Sequence, residues 1–206
     1  GTGPKAGGPH YLRALQRRPR PTGLAQISVN TSAPAPLFDQ QLKRAEAAFI
    51  AWNAGAGRRD NLVRGAANAR DEATDALRLA VSLYAEHFEQ GLELPGPTGE
   101  SNTLRLKGRG VVLCLGGGSD AANRRQIALA LAAGNAVIST DPVAEKVGRA
   151  LLAAGAPDHL VIPLTVGGAV NEGALFCPRI LAAVFDGASD SRLAIAAALA
   201  RRSGPI

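Results

Sequence analysis

The sequence predicts an α/β fold, in which an incomplete doubly wound parallel sheet follows a helical arm. Three features predict it: helical periodicity over residues 37–90, strand–helix alternation over residues 110–206, and a continuous apolar run at 111–115. Strands that alternate with helices at this spacing need right-handed crossover connections, and these produce a parallel sheet. An apolar run without alternation is typical of a strand that is buried on both faces.

The composition is that of a globular chain and excludes several other classes. Of the 206 residues, 46% are hydrophobic. No uncharged apolar stretch approaches the ~20 residues of a membrane span. Two cysteines are too few for a disulfide scaffold or a Cys-rich zinc site, so we predict no metal site. The N-terminal residues lack the basic start and apolar core of a secretory leader, so we expect a cytoplasmic location.

The net charge of +6 belongs to the first part of the chain. Residues 1–60 contain nine Lys/Arg and three Asp/Glu, whereas the remaining residues are balanced. The densest cluster of basic residues, four arginines within residues 13–20, is compatible with a phosphate-binding patch or with a solvated helix end. Because no aromatic side chains interleave with it to stack on bases, we favour the helix end and expect no nucleic acid partner. The cluster consists of Arg13, Arg17, Arg18 and Arg20.

Residues 1–36 are rich in Gly and Pro. They predict a helix at about 8–18, a strand over 24–30 and a linker over 31–36. The mixed alternation in the strand is compatible with an edge strand or with an arm exchanged between subunits. The chain has no methionine and begins with the loop-like sequence Gly-Thr-Gly-Pro, so we expect it to be a piece of a longer polypeptide.

Two helices are predicted in the helical arm, residues 37–90. The first has an apolar stripe at helical spacing and ends at 55–57, where the sequence is Gly-Ala-Gly. Asp60 is a suitable cap for a second, long helix, whose alanine-rich stripe implies close packing. His10 and His87 have no neighbouring metal-ligand pattern, and we assign them no site. The first stripe is Leu42, Ala45, Phe49 and Trp52, and the second is Leu62, Ala66, Ala69, Ala73, Ala76, Ala80, Leu83 and His87.

Residues 110–206 are predicted to form the parallel sheet and its helices. Gly134 and Gly155 end two of the helices, and Asp141-Pro142 begins one. The sequence at 204–206 is interpreted as the start of a fifth strand, so we expect a truncated sheet. The predicted strands are 111–115, 135–139, 160–164 and 181–185, and the predicted helices are 121–133, 142–154, 169–176 and 189–202.

A glycine-rich turn after the first of these strands is the main candidate site. Gly116, Gly118 and Ala121 fit the pattern G-x-G-x-x-G/A, in which the backbone approaches a pyrophosphate at a helix N-terminus. Asp141 lies 20 residues past Ala121, where a ribose-binding acid is expected. Asp120, however, adds negative charge to the turn, and Asp141 is also an ordinary helix cap. The residues therefore leave two interpretations open, a weak dinucleotide site and a tight structural turn.

Several blocks of sequence resemble the aldehyde dehydrogenase superfamily. Residues 45–138 resemble the N-terminal part of that fold, with similar blocks at 48–52 and 130–137. The segments 94–102 (LPGPTGESN) and 108–111 (GRGV) are more specific. They resemble the bifunctional proline utilization A proteins, which fuse proline dehydrogenase to L-glutamate γ-semialdehyde dehydrogenase.

The resemblance implies a domain order. The first nine residues look like the closing segment of the catalytic dehydrogenase domain of those proteins. Residues 1–36 are therefore expected to be the tail of that domain plus a linker strand. Residues 37–206 are expected to be a degenerate aldehyde dehydrogenase-like domain, with 110–206 as its Rossmann-like part. By resemblance, such a domain helps to cover the channel between the two active sites.

Departures from the family pattern imply that this domain is not catalytic. Catalytic units carry Pro-Trp-Asn-Phe-Pro after the first strand and Lys-Pro after the second, whereas this chain has 116–120 (GGGSD) and 139–142 (STDP). The nucleophilic cysteine would fall after residue 206. Cys114 and Cys177 match no nucleophile position and have no evident base, so we expect both to be core residues. We therefore expect no catalytic residue in this chain.

The resemblance also sets expectations for the parent protein. It would oxidise proline with FAD and the semialdehyde with NAD, whereas this segment is expected to bind no cofactor. Its expected partners are its own upstream catalytic domains and further copies in a homo-oligomer. One alternative is a stand-alone NAD-binding module that uses Gly116, Gly118, Ala121 and Asp141. Another is an assembly domain whose strand 24–30 pairs with a partner subunit.

Overall fold

The computed structural model describes residues 29–30, 36–55, 57–164, 170–171, 174–175 and 177–202. The predicted helix at 8–18 and the start of a fifth strand at 204–206 lie outside these ranges. Of the predicted strand 24–30, only the last two residues are described. They form the short strand β1 (Val29–Asn30).

The helical arm consists of α1 (Pro36–Ala54), α2 (Arg58–Asn68) and α3 (Glu72–His87). The stripe predicted for α1 is confirmed, because Leu42, Ala45 and Trp52 are buried and Phe49 packs against the same core. This face lies against the strands of the parallel sheet. The arm is therefore part of the hydrophobic core and not a separate unit.

The prediction of one long helix after Asp60 is wrong. The chain leaves the helical conformation at Ala69, and Asp71 has a φ of 52°. The apolar stripe nevertheless continues across this break, since Ala69 and Ala73 are both buried. The chain direction thus changes between α2 and α3, while the apolar faces of both helices pack against the same core. Asp60 lies in the first turn of α2, whose N-cap position is Gly57.

A short antiparallel hairpin connects the arm to the sheet. Its strands are β2 (Leu92–Leu94) and β3 (Asn102–Leu104), with Leu92 opposite Leu104. These strands were not predicted from the sequence. Each is three residues long and largely exposed, so neither carries a burial pattern that alternates over several residues.

The remaining elements alternate as predicted. The confirmed strands and helices begin and end within two residues of the predicted bounds. The helix predicted at 169–176 is wrong at residues 170–171, which pair in parallel with β1; residues 174–175 are helical. Pairing with a distant segment cannot be inferred from local sequence. The elements are β4 (Val111–Cys114), α4 (Asp120–Ala132), β5 (Ala136–Ser139), α5 (Val143–Ala153), β6 (Val161–Pro163), β7 (Val170–Asn171), β8 (Ile180–Val184) and α6 (Ser189–Ala200).

The main sheet has the parallel strand order β6-β5-β4-β8. The chain runs outward from β4 through β5 to β6 and then crosses to the other side of β4. Such a reversal creates a topological switch point between β4 and β8, and ligands of doubly wound sheets bind outside the carboxyl ends of the strands at this point. The α/β fold class is confirmed. No helix in the described part of the chain is long and apolar enough to cross a membrane.

Candidate functional site

The glycine-rich turn lies at the switch point, at the carboxyl end of β4. Gly116 and Gly117 have φ values of 66° and 86°, which glycine adopts more readily than other residues. Ser119 caps α4, and Asp120 is its first residue. The strand–turn–helix geometry predicted for a dinucleotide fingerprint is therefore present.

Three backbone donors in this turn and at the start of α4 have partners within the protein. In a dinucleotide site, such N–H groups point at the ligand phosphate. Here, side chains from the start of α4 accept these hydrogen bonds. The three pairs are Gly116 N–H to Gln126 Oε1 (3.1 Å), Gly118 N–H to Asn123 Oδ1 (3.3 Å) and Ala122 N–H to Ser119 Oγ (3.3 Å).

Gln126 also links the two strands that flank the switch point. Its side-chain amide donates to Gly116 O at 3.0 Å and to Asp186 Oδ2 at 3.1 Å. The backbone N–H of Asp186 donates to the same Gly116 carbonyl at 3.0 Å. Gln126 is only 3% exposed, so this polar network is buried and joins the ends of β4 and β8.

Packing of the Phe185 ring closes the crevice further. A Cβ atom on Gly117 would lie 2.2 Å from Phe185 Cε2 and 2.8 Å from the Gly187 Cα. The absence of a side chain at Gly117 is therefore required by contacts within the protein. A close approach of ligand is not needed to explain this glycine.

Three residues of this network, Asn123, Gln126 and Asp186, were not predicted from the sequence. Ser119, Asn123 and Gln126 are spaced by four and three residues, which places them on one face of α4. That polar face next to a glycine-rich turn was a usable signal. Asp186 had none, because its contact with Gln126 spans 60 residues of sequence.

A cavity of about 370 Å³ lies at the carboxyl ends of β4 and β5. Of the predicted cofactor residues, Gly116 and Asp141 line it, whereas Gly118 and Ala121 do not. Asp141 Oδ1 accepts a hydrogen bond of 2.8 Å from Val143 N–H. Asp141 thus binds the first N–H of α5 with one carboxylate oxygen, although the N-cap position is Pro142 and not Asp141 as predicted.

Charged residues of both signs line this cavity. Lys146 Nζ lies 2.9 Å from Glu72 Oε2 and 3.6 Å from Asp71 Oδ2, which ties α5 to the start of α3. The hydrogen bond from Lys146 lowers the pKa of Glu72, and the same bond raises the pKa of Lys146. Asp120 and Asp141 are two further carboxylates in the lining, and Arg124 is a second cation. Phosphate groups would therefore meet more negative than positive charge.

Neither cysteine has the surroundings of a nucleophile. Cys114 is fully buried in β4, and burial raises the pKa of its thiol to about 12. It is therefore protonated at neutral pH and unreactive. Cys177 is partly buried, and its backbone carbonyl accepts a hydrogen bond of 3.2 Å from Arg202. Among the described residues, no group of three or more His, Cys, Asp or Glu side chains could hold a metal ion.

Comparison with solved structures defines the class of fold. A structure of proline utilization A with proline bound in remote sites is 26% identical, has a TM-score of 0.68 and covers 86% of this chain and 22% of that chain. Structures of aldehyde dehydrogenase type share the fold at lower identity. A putative aldehyde dehydrogenase from Burkholderia cenocepacia is 20% identical with a TM-score of 0.63, covering 82% of this chain and 43% of that chain. No family model matches the sequence. The fold is that of an aldehyde dehydrogenase-like domain.

Curated relatives identify a particular protein family to which the chain is similar. The bifunctional protein PutA of Escherichia coli (strain K12) is 34% identical over 209 aligned positions, which is 100% of this chain and 14% of that protein. PutA of Klebsiella aerogenes is 36% identical over 71% of this chain and 10% of its own length. The chain is thus homologous to bifunctional PutA proteins along its whole length, and it spans 14% of the length of such a relative.

Proposed function

We propose that this chain is the C-terminal portion of a PutA-like enzyme that oxidises proline to glutamate. In that enzyme, an FAD-dependent proline dehydrogenase would act first. An NAD-dependent L-glutamate γ-semialdehyde dehydrogenase would then act on the product. The proposal is supported by 34% identity to PutA along the entire chain, although the chain matches only 14% of that relative.

Within that enzyme, the segment acts as a non-catalytic dehydrogenase-like domain. The single observation that carries this proposal is the occupied turn, in which Gln126, Asn123 and Ser119 accept the hydrogen bonds that a pyrophosphate would need. A ligand that used these N–H groups would have to displace their partners, and displacing the buried Gln126 side chain costs about 1–3 kcal/mol if it is left unpaired. The buried thiol of Cys114 supports the same conclusion for catalysis.

The domain arrangement belongs to the same proposal. Residues 1–36 form the tail of the catalytic dehydrogenase domain plus a linker strand. Residues 37–206 form the degenerate domain, which contacts the upstream catalytic domains and covers the channel between their active sites. The whole enzyme is a cytoplasmic homo-oligomer.

Deletion of the degenerate domain from the complete enzyme tests this role. Removal of residues 37–206 should produce a lag before glutamate appears from proline, while each half-reaction keeps its own rate with added substrate. Asp141→Ala in the complete enzyme is the matched control and should produce no lag. An unchanged time course after the deletion would exclude a function in channelling.

The second candidate function is a stand-alone NAD-binding module. It is favoured by the cavity of about 370 Å³, in which Gly116 and Asp141 meet at the ends of two parallel strands. It predicts that NAD stabilises the isolated chain against heat, by about 2.7 kcal/mol at 100 times the dissociation constant. Asp141→Ala should abolish that effect. Our main proposal instead predicts no shift of the midpoint at millimolar NAD, with or without the substitution.

A further inference from the structure

A second cavity, of about 460 Å³, opens between the helical arm and the segment that leads into β4. Phe49 and Trp52 of α1 and Tyr84 of α3 contribute aromatic rings to its wall. Arg58 and Lys107 contribute the charged groups. Cavities of this size hold small organic ligands, which are typically bound by apolar walls and a few polar groups.

The charge in this cavity is entirely positive. Its lining contains no carboxylate, and neither Arg58 nor Lys107 has an ion-pair partner in the described part of the chain. The neighbouring Arg59, in contrast, lies 3.4 Å from Glu89 and is outside the lining. Two unpaired cations beside one cavity attract an anion.

The guanidinium of Arg58 is held in a fixed position. Its Cζ atom lies 4.9 Å from the centroid of the Tyr84 ring, in a cation–π arrangement. Its Nη1 donates to Asn53 Oδ1 at 3.2 Å. The other N–H groups of the planar guanidinium remain available, and their geometry matches that of a carboxylate.

The wall also contains a buried donor without an acceptor. Trp52 is 2% exposed, and among the described residues its indole Nε1 has no hydrogen-bond partner. Buried polar groups in folded proteins are nearly always paired, and an unpaired donor is costly. Because this N–H is itself buried, it is not exposed to the cavity.

Hydrogen bonds and close packing connect the backbone segments around the cavity. The side-chain amide of Asn53 donates to Phe49 O at 2.9 Å and to Gly134 O at 2.8 Å. Gly108 packs closely on the same turn, because a Cβ atom there would lie 2.5 Å from Gly134 O. The arm and the segment before β4 are thus joined at the rim of the cavity.

We propose that this cavity binds a small carboxylate whose body is apolar or aromatic. The carboxylate contacts Arg58 and Lys107, and the body lies against the rings of Phe49, Trp52 and Tyr84. This inference is independent of the proposed function, since it uses no residue of the glycine-rich turn.

Trp52 is the one tryptophan of the sequence, so its fluorescence reports on this cavity directly. The test uses the full 206-residue chain and the probe 4-fluorobenzoate, followed by tryptophan fluorescence and by ¹⁹F line broadening. We expect a saturable response to 4-fluorobenzoate at millimolar concentration that weakens as salt is added. The neutral 4-fluorobenzamide should bind at least about tenfold more weakly, because it lacks the charge.

Two substitutions locate the binding. Arg58→Gln and Lys107→Gln should each weaken 4-fluorobenzoate binding by about tenfold, whereas Arg59→Gln should leave it unchanged. Circular dichroism of each variant establishes that the chain is folded. Lack of saturable binding, equal binding of the benzamide, or equal binding by the Arg58→Gln and Lys107→Gln variants would overturn the proposal.

Discussion

Gly117 is the residue on which the closed switch point depends most directly. It has a positive φ, and any side chain there would collide with Phe185. Gly117→Ala should destabilise the chain by about 3 kcal/mol, because the strain of a left-handed alanine adds to overpacking. Gly99→Ala is the matched control, since Gly99 also has a positive φ but nothing within 4 Å of its Cβ position.

Urea denaturation measures both variants. Gly99→Ala should cost about 1 kcal/mol, which is the conformational part alone. If the two substitutions cost the same, the packing of Phe185 on Gly117 is not as described.

At the residue scale, the sequence predicted which residues form the glycine-rich turn but not which side chains form hydrogen bonds with it. The positions of Gly116, Gly118 and Asp141 follow from local spacing along one strand, one turn and one helix. The partners do not, because Asp186 is 60 residues from Gln126 in sequence. The choice between a dinucleotide site and a structural turn was therefore left open by the sequence, and the hydrogen bonds of Gln126 favour the structural turn.

At the element scale, the break between α2 and α3 depends on an unusual backbone conformation. Asp71 has φ 52° and ψ −135°, which glycine adopts more readily than aspartate. Asp71→Gly should stabilise the chain by about 1 kcal/mol, because relief of strain exceeds the added entropy of the unfolded chain. Thermal unfolding of the variant checks this.

Asp71→Asn is the control for this substitution. It keeps the side-chain size and the strain but removes the charge near Lys146, which lies 3.6 Å away. It should not raise the unfolding midpoint. Stabilisation by asparagine alone would assign the effect to charge and not to the backbone.

The ion pair between Lys146 of α5 and Glu72 of α3 should contribute to the stability of the fold only within a limited pH range. Because the pKa of Glu72 is lowered, its contribution to stability is present above its ordinary pKa and is lost as the pH falls through the folded value. The pKa of Lys146 is raised, so its contribution is lost only as the pH rises above the ordinary lysine value of about 10.4.

Lys146→Gln should therefore reduce stability at pH 7 and flatten the loss of stability between pH 5 and pH 2. Urea unfolding at each pH measures this change. Arg149→Gln, which removes an exposed pair with Glu145 on the same helix, should keep the wild-type profile. Parallel profiles for wild type and Lys146→Gln would show that the pair does not contribute.

Elements with a strong local pattern were predicted, and elements that depend on distant contacts were not. The strands β4, β5 and β6 are apolar runs between glycine and helix-cap signals, and all three were found. The corner at residues 69–71 contains neither Gly nor Pro, and the apolar stripe continues through it, so the helix-start signal of Asp71 was overlooked. Strand β7 pairs with β1 across about 140 residues, and the local sequence indicated a helix there instead.

At the scale of the whole molecule, the described fold combines a nucleotide-binding topology with a switch point at which several backbone donors are bound by side chains of the protein. The strand order β6-β5-β4-β8 is that of a doubly wound sheet. The turn that would hold a cofactor instead contacts Gln126, Asn123 and Phe185. This combination is what our proposal of a non-catalytic dehydrogenase-like domain predicts.

The central claim is that these residues function as a non-catalytic part of a longer enzyme of proline oxidation. The most direct test is capture of the native polypeptide with an antibody to this segment, followed by its intact mass and an assay of glutamate formation from proline with NAD. We expect a mass several times larger than 21.1 kDa and glutamate production by the captured protein. A native polypeptide of 21.1 kDa without this activity would contradict it.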